Sequence, residues 1–117
     1  MAYYDIKSFS NPQEKTPLEK KHVPFIQAPT RVKKGEYFDV AIRMGEELDH
    51  PMEVGHFIQY VDLYANYYHL GRVGFTPDCK AEATMKVKLE ECCTLRAYTL
   101  CNLHGQWESA HEITVEE

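Results

Sequence analysis

The chain reads as an all-β protein, an immunoglobulin-like antiparallel β-sandwich of about seven strands. Three observations predict this. Short runs alternate apolar and polar side chains with the two-residue period of a half-buried strand. Turn signals separate those runs, and no stretch carries a long helical pattern. The 117 residues fit one domain, and a content of 44% hydrophobic and 12% aromatic residues can bury a core without disulfide staples.

Residues 1–21 are polar and interrupted by Pro12 and Pro17, and they read as an extended arm leading into residues 22–117, the sandwich proper. Residues 23–28 predict a short edge strand whose pairing Pro24 limits. Phe38, Val40 and Ile42 alternate with Asp39, Ala41 and Arg43. Residues 57–65 are apolar on both faces, as an inner strand requires. A strand over 68–75 follows. Ala83, Met85, Val87 and Leu89 then alternate with Thr84, Lys86, Lys88 and Glu90, the cleanest period-two run of the chain. Strands over 94–101 and 112–115 complete the set. Lys33-Lys34-Gly35, the loop over 45–55 and Thr76-Pro77-Asp78 are the predicted turns, and the loop over 50–56 has room for one helical turn at most.

Composition removes several classes of function. A net charge of -5 argues against general nucleic-acid binding. No apolar run reaches membrane-spanning length. The start, Met1-Ala2-Tyr3-Tyr4-Asp5-Ile6-Lys7, lacks the apolar centre of a signal peptide, so a cytoplasmic protein is expected. Cys79, Cys92, Cys93 and Cys101 show no disulfide framework, and in a reducing cytosol all four are thiols. Three of them read as small hydrophobes; Cys101 alone has a histidine at ligand spacing.

Two short stretches carry the chemistry. They are His50-Pro51-Met52-Glu53-Val54-Gly55-His56 and Cys101-Asn102-Leu103-His104-Gly105. With His22, in Lys20-Lys21-His22-Val23-Pro24, they offer four imidazoles and one thiolate. Structural zinc prefers a closed set of four ligands, usually rich in cysteine. Four nitrogens and one sulfur suit a square-pyramidal transition metal with its sixth position open. Loops at one end of a sandwich can deliver such a set while the sheets hold it rigid. His69, among tyrosines, and His111 read as surface or packing residues, and Glu53 as a solvated loop residue.

Together these residues resemble superoxide reductase, the iron domain of the desulfoferrodoxin and neelaredoxin family. The matching pieces are Lys21-His22-Val23-Pro24, His50-Pro51 with His56 six residues on, and Cys101-Asn102-Leu103-His104-Gly105 followed by Trp107-Glu108. The resemblance implies one iron per chain, with His22, His50, His56 and His104 around it in a plane and the Cys101 thiolate on its axis. It implies that Lys21 lies beside the open position. It also implies reduction of superoxide to hydrogen peroxide, with re-reduction by an external donor such as rubredoxin, and a homo-oligomer, tetramer or dimer. No cysteine precedes Cys79, as in the one-iron form.

One departure is plain. The family commonly has glutamate two residues before the first histidine, where it caps ferric iron; here that position is Lys20, and the nearest carboxylate is Glu19. In a protein of net negative charge, Lys21, with Lys20 and Lys15 behind it, would focus a small anion at the mouth. Lys21 could also order a water for proton delivery. Two rival functions remain at this stage. A type 1 copper carrier also uses a Cys-x-x-His turn on a sandwich, but it needs an axial methionine after the cysteine and leaves two histidines without a role. A binding module with a structural metal gives no reason for an open position beside Lys21.

Overall fold

Strand alternation decides which side chains meet in the middle of the molecule. The computed structural model describes residues 3–117, so the first two residues of the Met1–Lys7 start and of the 1–21 arm lie outside the described residues. In chain order the elements are α1 (Pro17–His22), β1 (Pro24–Gln27), β2 (Arg31–Lys33), β3 (Phe38–Met44), β4 (Ile58–Ala65), β5 (Tyr68–Gly74), β6 (Glu82–Val87), β7 (Cys93–Cys101) and β8 (Gly105–Glu116). A three-stranded sheet, β1-β3-β6, faces a five-stranded sheet, β2-β8-β7-β4-β5. Val40, Ile42 and Met44 from β3 pack against Val61 and Leu63 from β4 and Leu95 and Ala97 from β7. The period-two run of β7 (Leu95, Ala97, Thr99, Cys101) is buried throughout. That alternation carries Cys101 inward at the very end of the strand.

The expected sandwich is present, with three adjustments. Eight strands are found among the described residues rather than about seven. The additional one, β2, has three residues and pairs parallel to β8, so the larger sheet is not purely antiparallel. It is too short to show alternation. The last strand starts at Gly105, not at residue 112, because Glu108, Ser109 and Ala110 lack β-forming side chains and are held instead by pairing with β7 (Ala97↔Ser109, Tyr98↔Glu108). The arm is not extended up to His22, since its last stretch is helical. Thr16 caps that helix: its hydroxyl accepts from the Glu19 N–H at 3.2 Å, and the Glu19 carboxylate accepts from the Thr16 N–H at 3.0 Å. Thr16, Pro17 and Glu19 form a recognisable capping-box start, but six residues are too few for a helical period. The loop over 50–56 contains no helix; Glu53 and His56 exchange backbone hydrogen bonds of 3.0 Å in a tight turn.

Two glycines make close approaches possible. At Gly45 (φ +106°) a Cβ would fall 1.9 Å from the Leu48 carbonyl oxygen, so only glycine lets the loop after β3 fold back toward His50. At Gly105 (φ +79°) a Cβ would fall 2.4 Å from the Tyr3 carbonyl oxygen. The N-terminal segment lies against this turn, and Lys7 continues the contact through a parallel bridge to Trp107. Gly105→Ala is therefore expected to cost about 1–3 kcal/mol in denaturant unfolding, and to make the chain before Lys7 more sensitive to protease.

Candidate metal centre

Each candidate ligand is delivered by a different local device. His22 is the last residue of α1, where its Nδ1–H donates to the Leu18 carbonyl at 2.7 Å. His50 follows the Gly45 loop, and its Nδ1–H donates to the Pro51 carbonyl at 2.6 Å. His56 closes the tight turn with Glu53. Cys101 ends β7 and His104 lies in the turn before β8, with Sγ and Nδ1 3.7 Å apart. Asn102 ties the two ligand loops together: its Oδ1 accepts from the Phe57 N–H at 2.9 Å and its Nδ2 donates to the Gly55 carbonyl at 3.0 Å.

The four imidazoles stand in a ring. Neighbouring ring centroids are separated by 4.4 Å (His22–His50), 4.7 Å (His50–His56), 5.1 Å (His56–His104) and 4.8 Å (His22–His104), and each pair meets edge-on or nearly so. The diagonal pair His22–His56 is 6.1 Å apart and near-parallel, at 26°. Four shorter sides and a longer diagonal outline a square. One donor atom from each of His22, His56, Cys101 and His104 lies within 4.8 Å of the others. His50 joins them through its Nε2, 3.0 Å from Nε2 of His22.

That 3.0 Å contact shows that the set fits a metal ion. Both Nδ1 atoms donate to carbonyls, so in each neutral ring Nε2 presents a lone pair. Two lone pairs cannot hydrogen-bond to each other; a proton or another cation must stand between them. Protonation is disfavoured. Burial, and then the neighbouring imidazoles, lower His22 to about 3 despite the opposing Leu18 hydrogen bond. Burial likewise lowers His50 to about 4, with His56, His104 and Lys21 adding to the effect. Two imidazole donors on one ion, with metal–nitrogen bonds of about 2.1 Å at right angles, would sit about 3.0 Å apart. The Nε2 of His56 is buried without a hydrogen-bond partner, as a metal-directed atom would be. Burial raises the Cys101 thiol, while the amide groups of His104 and Leu103 and the Lys7 charge pull the other way. Burial lowers His104 too, followed by His56 and Lys7.

The remaining candidates fall out clearly. Glu19 is buried and accepts from the N–H of Thr16 and from the N–H and hydroxyl of Ser10, at 3.0, 3.1 and 3.2 Å. Those backbone hydrogen bonds hold its carboxyl below the usual range. It is committed to the cap of α1. Lys20 pairs with Glu47 at 3.1 Å and Lys15 with Glu46 at 3.3 Å, so part of the expected cationic mouth is neutralised. Lys21, half-buried, has no ion pair among the described residues, and its charge acts on His50. Glu53 is exposed. His69 contacts Asp62 at 3.0 Å and His111 the Pro29 carbonyl at 3.1 Å, both away from the ring of ligands. Three contributors escape a reading of the sequence. Asn102 stood in the motif without an assigned task. Trp107, fully buried, stacks on His22 at 4.9 Å. Lys7 lies far from every ligand in sequence, and no local signal marks it.

An all-β sandwich carrying four imidazoles and a thiolate at one end defines a mononuclear non-haem metal protein. The comparisons with known proteins agree. The desulfoferrodoxin family profile matches residues 14–110. A relative from Methanocaldococcus jannaschii, provisionally assigned as a superoxide reductase, is 45% identical over 108 residues, 89% of this chain and 91% of the relative. The superoxide reductase of Pyrococcus furiosus is 34% identical over 115 residues, covering 82% and 89% of the two chains. Among solved structures, the superoxide reductase (neelaredoxin) of Ignicoccus hospitalis superposes with a TM-score of 0.74 at 38% identity, covering 81% of each chain. The chain belongs to the desulfoferrodoxin family.

Proton competition at His22 and His50 has a definite sign. An ordinary histidine pKa is 6.5, and in the folded protein His22 falls to about 3 and His50 to about 4. The metal-free unfolded chain therefore takes up protons that the fold refuses, and stability is lost as pH drops from 6.5 through about 4 toward 3. The metal-free protein should show a melting temperature that falls across this window, and His22→Phe should flatten the fall.

Proposed function

We propose that this chain reduces superoxide to hydrogen peroxide at one iron held by His22, His50, His56, His104 and Cys101, and that Lys21 guides the substrate. The chain is an oxidoreductase, a superoxide reductase of the desulfoferrodoxin family. The observation that carries the assignment of ligands is the ring of four imidazoles over a buried cysteine. Bound there, iron supplies the single electron that superoxide must gain. Everything else falls to the chain. The imidazoles hold neutral nitrogens toward one point, and Cys101 brings a negative sulfur from the core side. As a ligand, the Cys101 thiolate would add electron density to the iron, by analogy with thiolate-ligated haem.

Superoxide is a small anion, and the chain carries a net charge of -5. With Lys15 and Lys20 paired to Glu46 and Glu47, Lys21 is the cation that supports anion capture here. Encounter then approaches the diffusional ceiling of about 10⁸–10⁹ M⁻¹s⁻¹. Lys21 also orders water through which the two protons the product requires are relayed from solvent. Glu19 is committed to its helix cap, so the iron-loaded oxidised protein would be open to water, hydroxide or an added anion in place of that carboxylate. A rubredoxin-like or other soluble reductase returns the electron. The protein works in the cytoplasm; no helix among the described residues is long and apolar enough to cross a membrane. Tyr67 and Tyr68, at 92% and 73% exposure on the β4–β5 hairpin, supply contact surface for a homo-oligomer, tetramer or dimer.

The type 1 copper alternative is disfavoured because four imidazoles, not two, share the site. Metal analysis should give about one iron per chain, as one ligand set requires, together with a thiolate-to-iron absorption band in the oxidised protein. Cys101→Ser should abolish that band and most superoxide reduction, while Cys79→Ser, at an exposed thiol outside the cluster, leaves both intact. Zinc in place of iron, with no activity gained on iron reconstitution, would overturn the reading.

Lys21→Ala separates steering from later chemistry. The second-order rate of oxidation by superoxide should fall about tenfold at low salt, and its salt dependence should flatten, since screening acts over roughly 8 Å at physiological ionic strength. The absorption spectrum should hold. Pulse radiolysis at low and high salt reads all of this. A parent-like rate and salt slope would reduce Lys21 to a solvated residue, whereas a lower rate with an unchanged slope would put its action after encounter.

A further inference from the structure

The N-terminal segment carries a lysine in a place where lysines are rarely found. Lys7 is 7% exposed. Lysine is almost never buried to this degree unless its charge has a use or a partner, because desolvating an ammonium costs several kcal/mol. Its backbone is pinned on both sides: the Lys7 N–H donates to the Gln106 carbonyl at 3.0 Å, and its carbonyl accepts from the Glu108 N–H at 2.8 Å. Its ammonium donates to the Asp5 carbonyl at 2.7 Å. The same ammonium lies 5.5 Å from the centre of the Trp107 ring, and that ring stacks on His22.

The position of the charge relative to the ligands is the decisive point. A Cβ on Gly105 would lie 2.9 Å from Lys7 Nζ, so the ammonium rests against Gly105 itself. Gly105 directly follows His104 and is the cross-strand partner of Cys101 in the β7–β8 register. The Lys7 charge thus stands at the base of the turn that holds both the sulfur and one imidazole.

We infer that Lys7 tunes the metal centre electrostatically, as a fixed buried cation beneath the Cys101–His104 turn that draws electron density from the thiolate and raises the reduction potential of the iron. This rests on the ligand assignment proposed above. The electrostatics have one direction. Ferric iron plus thiolate carries a charge of two, and gaining one electron lowers it to one; a nearby positive charge repels the oxidised state more and so favours the reduced one. A ferrous resting state is the one able to give superoxide its electron. The Trp107 ring, close to both Lys7 and His22, adds a polarisable contact.

The test is a redox titration of iron-loaded protein, followed through the thiolate band, on the parent and on Lys7→Gln, Lys7→Met and Lys7→Arg. The two neutral variants should favour the ferric form by about tenfold, a fall of about 59 mV for one electron. Their thiolate band should move to longer wavelength, because the sulfur is no longer stabilised by the cation. Lys7→Arg, which keeps the charge, should stay within about twofold of the parent, a bound well inside the tenfold step. The difference between parent and neutral variants should persist at high salt, since a buried charge is poorly screened. Neutral variants that hold iron with a potential and band like the parent's would overturn the inference. So would iron binding that survives in Lys7→Arg but is lost in both neutral variants, which would make Lys7 a requirement for assembling the turn. A parent protein with no thiolate band would instead refute the ligand assignment itself.

Discussion

The structure depends on holding five electron-rich atoms closer together than they would choose to be. The two Nε2 lone pairs of His22 and His50 face each other at 3.0 Å, and the His56 Nε2 is buried without a partner. None of these contacts is favourable without a cation. The ligand ring is therefore a cost that the rest of the fold must meet, and binding a metal releases it. The strand pairings and caps around the ring serve to prevent relaxation. If the loops could drift apart, the lone pairs would separate into water and the site would be lost.

Each ligand is stiffened differently. Cys101 is the most firmly held, since it continues the buried alternation of β7 and pairs across to Gly105. His22 sits at the end of a helix of only six residues, too short to be stable alone. Its stability comes from the Thr16–Glu19 capping box, from Ser10 reaching the same carboxylate, and from Trp107 stacked under the imidazole. His50 and His56 lie on the longest loop, and Asn102 clamps that loop to the Cys101–His104 turn. The carboxylate of Glu19 thus serves the metal centre indirectly, by fixing the helix that presents His22.

Charge is distributed with the same economy. The mouth would carry several lysines if all were free, yet Lys15 and Lys20 are paired to adjacent glutamates of the Gly45 loop. The Glu46 N–H also bonds to the Lys20 carbonyl at 3.1 Å, so loop and helix are latched through backbone as well as side chains. The two cations proposed to serve the site differ in setting. Lys21 is half-buried, where salt can screen it. Lys7 is buried against Gly105, where salt screens little.

Much of this was legible in the amino-acid order. Period-two alternation is a local property, so β3 and β6 could be read directly, and a run apolar on both faces marked β4. The spacing of His50, His56, Cys101 and His104 marked them as candidate ligands, because turns bring near neighbours together whatever the distant packing, and the resemblance to a family motif implied the full set with His22. The sequence also contained the capping box, although six helical residues show no period to confirm it. Tertiary structure alone decided the rest. The pairing of β2 with β8, the extension of β8 back to Gly105 and the commitment of Glu19 to its cap all depend on segments meeting across the sheet or the arm. Lys7 is the clearest case. Nothing near it in sequence distinguishes it from a solvated lysine; only the bridge to Trp107 and the space left by a missing Cβ at Gly105 bring its charge beneath the ligands.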